Sequence, residues 1–246
     1  MEKNIQKVID IALAEVGYLE KRSNSQLDSK TGNAGAANYT KYARDLDALG
    51  FYNGRKQSFD WCDMFFDWCF VKAYGKAAAL AMTFQPTNAA NNCGAGCHYS
   101  RQYYAANGRL YNSPQVGDQI FFYNAGGRVS HTGLVYNVDK SYVYTVEGNT
   151  TGASGVIANG GGVCKKKYKL SSSYIAGYGR PAYGVQVQRP AQGSSYTTYT
   201  IKKGDTLWDI SKKYLGAGSR YKEIMQLNNM KSTGIRAGQT LKIPSK

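Results

Sequence analysis

The segment Phe59-Asp-Trp-Cys-Asp-Met-Phe-Phe-Asp-Trp-Cys-Phe70, FDWCDMFFDWCF, holds two cysteines seven residues apart among six aromatic residues. Asp60 is a good helix N-cap, and Asp63 then stands at the third helical position, as in a capping box with a shorter acid. Offsets of three, four, seven and eleven from Cys62 pick out Phe65, Phe66, Cys69 and Ala73, the stripe of a helix with one buried face. The pattern predicts helix from Trp61 to Ala81. The two sulfurs share a face but not an environment. Cys62 falls in the first turn, where unpaired backbone N–H groups and the helix dipole favour an anion. Such positions lower a thiol pKa from about 8.5 to roughly 3.5–7.5. Cys69 lies two turns deeper between Trp68 and Phe70 and reads as a small, inert core residue. Cys62 is the candidate nucleophile.

A nucleophile needs a base, and the chain has two histidines. His131 in RVSHTGLVYNV stands at the start of an alternating strand; His98 in NNCGAGCHYS stands in a stretch without periodicity, expected as a loop. A strand start is the more rigid mount for a ring that must meet a sulfur, so His131 is the candidate base. In the next strand, YTVEGNT, Glu147 and Asn149 are two apart and share a face. Either could accept the second imidazole N–H and fix the tautomer.

Of the 246 residues, 42% are apolar, enough for a core, and 21 tyrosines with 28 glycines suit strand-rich surfaces that stack on flat polar groups. The net charge is +15, which favours an anionic partner. From Tyr196 onward ten basic and three acidic residues give +7, and the first 195 residues carry 21 minus 13, or +8. Ile5, Val8, Ile9, Ala12, Leu13 and Val16 predict an amphipathic N-terminal helix. Asp10 and Glu15 interrupt any apolar signal region, so synthesis in the cytoplasm without a signal peptide is expected. No run reaches membrane-span length. Helical periodicity early and alternating runs later (QIFFYN, HTGLVYNV, SYVYTVEG, YIAGYGR) predict an α+β domain with an antiparallel sheet. The Gly-rich TTGASGVIANGGG reads as a mobile loop and lacks the context of a nucleotide site.

Residues 184–195, GVQVQRPAQGSS, read as a linker. Beyond it, in 196–246, a short strand at 199–201 precedes a helix capped by Asp205 or Thr206 and ended at Gly216. A second helix capped by Ser219 and a strand at 240–243 follow. This βααβ order, with GDTLWDIS at its start and AGQTLKIP at its close, resembles a LysM module. The resemblance implies binding of N-acetylglucosamine glycan in peptidoglycan or chitin. The groove would lie between Gly204, Asp205, Thr206 and Leu207 on one side and the loop from Asn229 to Ile235 on the other.

In the first 183 residues, DWCDMFFDWC, PQVGDQIFF, SHTGLV and VEGNT, in that order, resemble the CHAP domain of cell-wall amidohydrolases and peptidases. The resemblance implies a papain-like α+β fold with catalytic Cys62, His131, Glu147 and Asn149. It implies a peptidoglycan hydrolase, N-acetylmuramoyl-L-alanine amidase or stem-peptide endopeptidase, acting at the wall as an endolysin released through a holin-type pore, or as an autolysin. Anionic wall polymers would then account for the positive charge. No cofactor is expected. Asp45 and Asp47 lack the further oxygen ligands that calcium needs and read as a solvated helix face. Cys93, Cys97, His98 and Cys164 leave open a zinc site, a Cys93–Cys97 disulfide or a plain loop. A non-catalytic wall-binding protein is the main rival. Nucleic-acid binding ranks last: lysines 165–167 read as a short solvated run with no reader motif.

Overall fold

A computed structural model describes residues 2–86, 94–183, 196–228, 230 and 232–244, and the chain divides into two compact units, 1–187 and 188–246. The central element of the first unit is the helix α3, Cys62–Tyr74, which begins at the nucleophile candidate. It is apolar nearly all round, and residues 62 to 70 are all buried, as expected of a helix enclosed on every side. Gly75, at φ +83°, then breaks the expected single helix, and α4 spans Lys76–Met82. Three further helices complete the α layer: α1, Glu2–Ala14, α2, Lys41–Ala48, and α5, Cys97–Ala106. Val8, Ile9 and Ala12 of α1 join Tyr42 and Leu46 of α2 and the α3 aromatics in one core.

The start of α3 differs from expectation. Trp61, not Asp60, is the N-cap, and no side chain caps the helix. Asp63 therefore sits at the second helical position and turns inward rather than back to the cap. The Trp61 side chain gives the first-turn amides around Cys62 no capping acceptor.

Six strands form one antiparallel sheet in the order β1-β6-β2-β3-β4-β5. They are β1 Leu110–Tyr111, β2 Gln119–Tyr123, β3 Val129–Val138, β4 Tyr142–Thr150, β5 Gly162–Lys169 and β6 Ile175–Gly179. The strand β5 was not expected: it contains the three lysines read as a solvated run. Lys165 and Lys167 do face solvent, but Lys166 is buried. Its Nζ donates to the carbonyls of Thr151 and Ala153, so the run is an alternating strand with its charge satisfied by backbone.

One glycine sets how closely helix and sheet approach. A Cβ on Gly148 of β4 would lie 2.5 Å from Phe65 Cβ and 2.9 Å from Trp61 Cζ3. Only the bare backbone admits the first turns of α3 at this distance.

The second unit pairs β7, Tyr196–Thr200, with β8, Thr240–Pro244, antiparallel. Between them, Thr206 caps α6, Leu207–Leu215, through its bond from Asp209 N, and Gly216 ends it in the left-handed conformation. Ser219, expected as a cap, lies inside a 3-10 turn, Gly218–Arg220, that leads into α7, Tyr221–Leu227. Ile201, Leu207, Ile210, Leu215, Ile224, Leu241 and Ile243 form its core. The expected linker, 184–195, lies outside the described residues.

Candidate active site

Cys62 is the first residue of α3, 7% exposed, with its sulfur beside His131 and Cys97. His131 stands on β3 opposite Phe122 of β2, and the two rings stack at 6.0 Å. Its Nε2 lies 2.9 Å from Glu147 Oε2, with both side chains fully buried. Among the described residues its buried Nδ1 has no hydrogen-bond partner, which leaves that nitrogen to the neighbouring Cys62 thiol.

Glu147 is held from three sides. Besides His131 it accepts Thr145 Oγ1 at 2.5 Å and Tyr168 Oη at 3.1 Å. A carboxylate so surrounded keeps one orientation and presents one oxygen to the ring, the orienting role in a nucleophile–base–orienter set.

The electrostatics favour a thiolate facing an imidazolium. Cys62 is pulled down from 9.0 to about 5, first by the hydrogen bond from Cys97; burial opposes this, and His131 adds its own hydrogen bond and charge. His131 is pushed up from 6.5 to about 10: burial works against its charged form, but the bonds to Cys62 and Glu147 overcome it. Cys97 moves the opposite way from Cys62, raised by its bond to that sulfur and by burial. Of the two thiols in contact, one ionises and the other stays a donor. Cys69 is raised well above the usual thiol range by burial, consistent with an inert core sulfur.

Asp63 and Asp67, one turn apart on α3, are both buried. Asp63 accepts Ser100 Oγ at 2.9 Å and Gln119 Nε2 at 2.8 Å, and burial, Asp67 and Cys62 push its pKa well up. Asp67 accepts Gln85 Nε2 and Tyr52 Oη, each at 2.7 Å, and burial brings it to about 7. A carboxyl that resists ionising does not set a second negative charge against the Cys62 thiolate.

Among the described residues Asn149 makes no hydrogen bond to the imidazole. The β4–β5 register shifts between Glu147 and Thr150, and Asn149 takes φ +57°. Its carbonyl accepts Gly160 N at 2.8 Å and its Oδ1 accepts Gly161 N at 3.3 Å. The strand continues through Thr150, but the positive φ and the register shift break its regular alternation at Asn149, and the side chain bonds to the 160–161 loop.

Several groups here went unnoticed in the sequence. Thr145 is related to Glu147 by the same two-residue spacing that suggested Asn149. Cys97, Ser100 and Tyr104 are the buried residues of α5, at offsets of three and seven. That helical signal was legible in the stretch expected to be a loop. His98, by contrast, is exposed, its ring tilted at 40° against Tyr99.

The candidate metal positions have other partners. Asp45 accepts from Arg44 and from Trp68 Nε1, and Asp47 accepts the backbone N–H groups of Lys56 and Gln57. They are half-buried structural acceptors, not a solvated face. Cys164 sits on β5 opposite Glu147. Cys93 lies outside the described residues, and among those described no three metal-binding side chains gather.

In the second unit, Gly204 takes φ +93°, and Asp205 accepts Tyr199 Oη and Lys202 N, each at 2.7 Å. Thr206 is the helix cap and Leu207 is buried in the core. Ile235 packs against that core, and Asn229 lies outside the described residues. The side chains expected at the start of α6 thus shape the loop. Trp208, not nominated, is 52% exposed beside Tyr221.

Among protein families, the CHAP domain matches residues 53–149 and the LysM domain matches residues 199–244. Similar proteins include a probable N-acetylmuramidase of Lactococcus lactis subsp. lactis, 56% identical over 45 residues, 18% of this chain and 10% of that protein. The probable peptidoglycan endopeptidase LytE of Bacillus subtilis is 50% identical over 46 residues, 19% of this chain and 13% of its own. The N-acetylmuramoyl-L-alanine amidase sle1 of Staphylococcus epidermidis is 48% identical over 56 residues, 22% and 16% respectively. The chain thus spans 10 to 16% of the length of these relatives. Their names describe three different activities, so the likeness selects no particular bond.

Proposed function

We propose that this chain, which joins a CHAP domain to a LysM domain, is a peptidoglycan hydrolase that cuts an amide bond by a cysteine–histidine mechanism. One observation carries the reading: a sulfur on the first residue of a buried helix faces an imidazole whose other nitrogen rests on a buried carboxylate.

The Cys62 thiolate attacks the amide carbonyl, forming a carbon–sulfur bond. The Cys62 backbone N–H, free at the helix start, is positioned to help hold the oxyanion. His131 gives its proton to the leaving amine as the carbon–nitrogen bond breaks. It then takes a proton from water, whose oxygen attacks the thioester and restores the thiolate. Glu147 stabilises the imidazolium and fixes the ring throughout. Asn149 acts on the loop at Gly160 and Gly161, which supports a role toward substrate rather than toward the base.

The LysM unit supports attachment to the glycan of the bacterial wall, and its share of the positive charge suits anionic wall polymers, with binding that weakens as salt rises. Among the described residues no helix is long and apolar enough to cross a membrane.

The bond is either the N-acetylmuramoyl-L-alanine amide or one within the stem or cross-bridge peptide. Mass spectrometry of fragments released from purified sacculi tests this. Whole stem peptides beside intact glycan strands identify an amidase, and shortened or uncrosslinked stems identify an endopeptidase. New reducing ends on the glycan, without peptide cleavage, would refute the amide-cutting reading.

A further inference from the structure

Glu20 is 4% exposed, and the bond it accepts from Trp61 Nε1, at 2.8 Å to Oε2, is from a neutral donor. Among the described residues its other oxygen, Oε1, has no hydrogen-bond partner and Glu20 has no ion pair. The neighbouring cations bond elsewhere: Lys21 Nζ donates to the Lys30 carbonyl and lies over the Tyr18 ring, and Arg22 donates to the Ala34 carbonyl. Buried carboxylates are ordinarily matched by a positive group, and the described residues supply none to Glu20.

Glu20 lines a cavity of about 320 Å³ whose other walls include Ala34, Gly35, Ala36, Gly160 and Gly161. Most of these residues are small, and Leu19, Asn38 and Asn159 complete the lining. A Cβ on Gly161 would lie 3.4 Å from Glu20 Cδ and 3.6 Å from Oε1, so glycine there leaves the side of the carboxylate uncovered. The cavity is tied to the reaction centre twice. Trp61, which holds Oε2, immediately precedes Cys62, and the Gly160 and Gly161 amides bond to Asn149.

We infer that this cavity is a subsite for a primary ammonium group on the peptide part of the substrate, with Glu20 Oε1 as its acceptor. This rests on the hydrolase reading and adds to it a substrate class: peptide bearing a free amine near the bond that is cut. An ammonium supplies the missing charge and donates to Glu20 Oε1.

The test is calorimetric titration of full-length protein carrying Cys62→Ala, which binds without turnover. The probe is a synthetic stem peptide ending in a diamino acid, with both amines free, with only the side-chain amine acetylated, or with only the α-amine acetylated. One acetylation should weaken binding roughly ten- to hundredfold, as for loss of a charge-assisted bond, and which one does so identifies the amine. Adding Glu20→Gln, which keeps an acceptor for Trp61 Nε1, should make free and acetylated peptides bind alike with the melting temperature retained. Ala36→Trp, from an exposed position on the rim, should remove the same advantage without touching Glu20. A preference that survives Glu20→Gln, or no preference in the parent, overturns the subsite. Wild-type release of fragments from sacculi separates the two readings. If release occurs without a Glu20-dependent preference, only the subsite falls; if wild-type protein releases nothing, the hydrolase reading falls and takes the subsite with it.

Discussion

Cys97 opens helix α5 as Cys62 opens helix α3, and the two thiols meet beside the imidazole of His131. The contact is the largest influence holding Cys62 near 5. Cys97→Ala should therefore raise the Cys62 pKa by about one to two units, the worth of a hydrogen bond to a charged group. The rate of alkylation by iodoacetamide against pH, under reducing conditions, reads that midpoint directly. Cys97→Ser, which restores an O–H donor, should recover most of the shift. An unmoved midpoint in Cys97→Ala would mean that the helix terminus and His131 suffice.

The catalytic pair sets a pH window. Cys62 is protonated as pH falls through about 5, and His131 loses its charge as pH rises through about 10. The reactive thiolate–imidazolium form fills the range between, so kcat/KM on a soluble wall fragment should be bell-shaped across it, with limbs that belong to the pair jointly. Activity confined to a narrow band near pH 7 would contradict this assignment.

Glu147→Gln and Asn149→Ala should separate cleanly. The first removes the charge that stabilises the imidazolium, so activity should fall roughly a hundredfold or more. The alkaline limb should also move to lower pH, because burial then acts unopposed on that side of the ring. Asn149→Ala loosens the 160–161 loop and should raise KM with kcat largely kept. A collapse of kcat in Asn149→Ala, with Glu147→Gln mild, would exchange their roles.

Gly148→Ala tests the seating of the helix on the sheet. The added methyl meets Phe65 and Trp61 below 3.0 Å, so α3 must shift. Overpacking of this kind costs about 1–3 kcal/mol, read as a lower denaturant midpoint, and the displaced Cys62 should lose thiolate character. Unchanged stability and alkylation rate would show that the contact yields freely.

The sequence disclosed the parts of this fold that periodicity governs. The helix at Cys62, the alternation around His131 and the capped helix of the second unit follow from spacing, but the single buried face expected of the first does not, since residues 62 to 70 are all buried. The errors fall where packing overrides local pattern. Asp60 looked like a cap, but Trp61 takes that place and bonds to buried Glu20. The lysines of β5 looked solvated, but their strand is paired with β4, which obliges every second side chain to turn inward. Asn149 looked aligned with Glu147 because strand periodicity carries no warning of a register shift. Cys97 was visible as a residue but not as a neighbour, since its contact with Cys62 depends on where α5 lies against α3.

Release of soluble fragments from purified sacculi by wild type, Cys62→Ala, Cys69→Ala and Cys97→Ala, side by side under reducing conditions, tests the central claim most directly. Loss of release in Cys62→Ala, slowed release at neutral pH in Cys97→Ala and near-normal release in Cys69→Ala, once its folding is verified, are the predicted results. Release by Cys62→Ala equal to wild type would place the nucleophile elsewhere and contradict the mechanism.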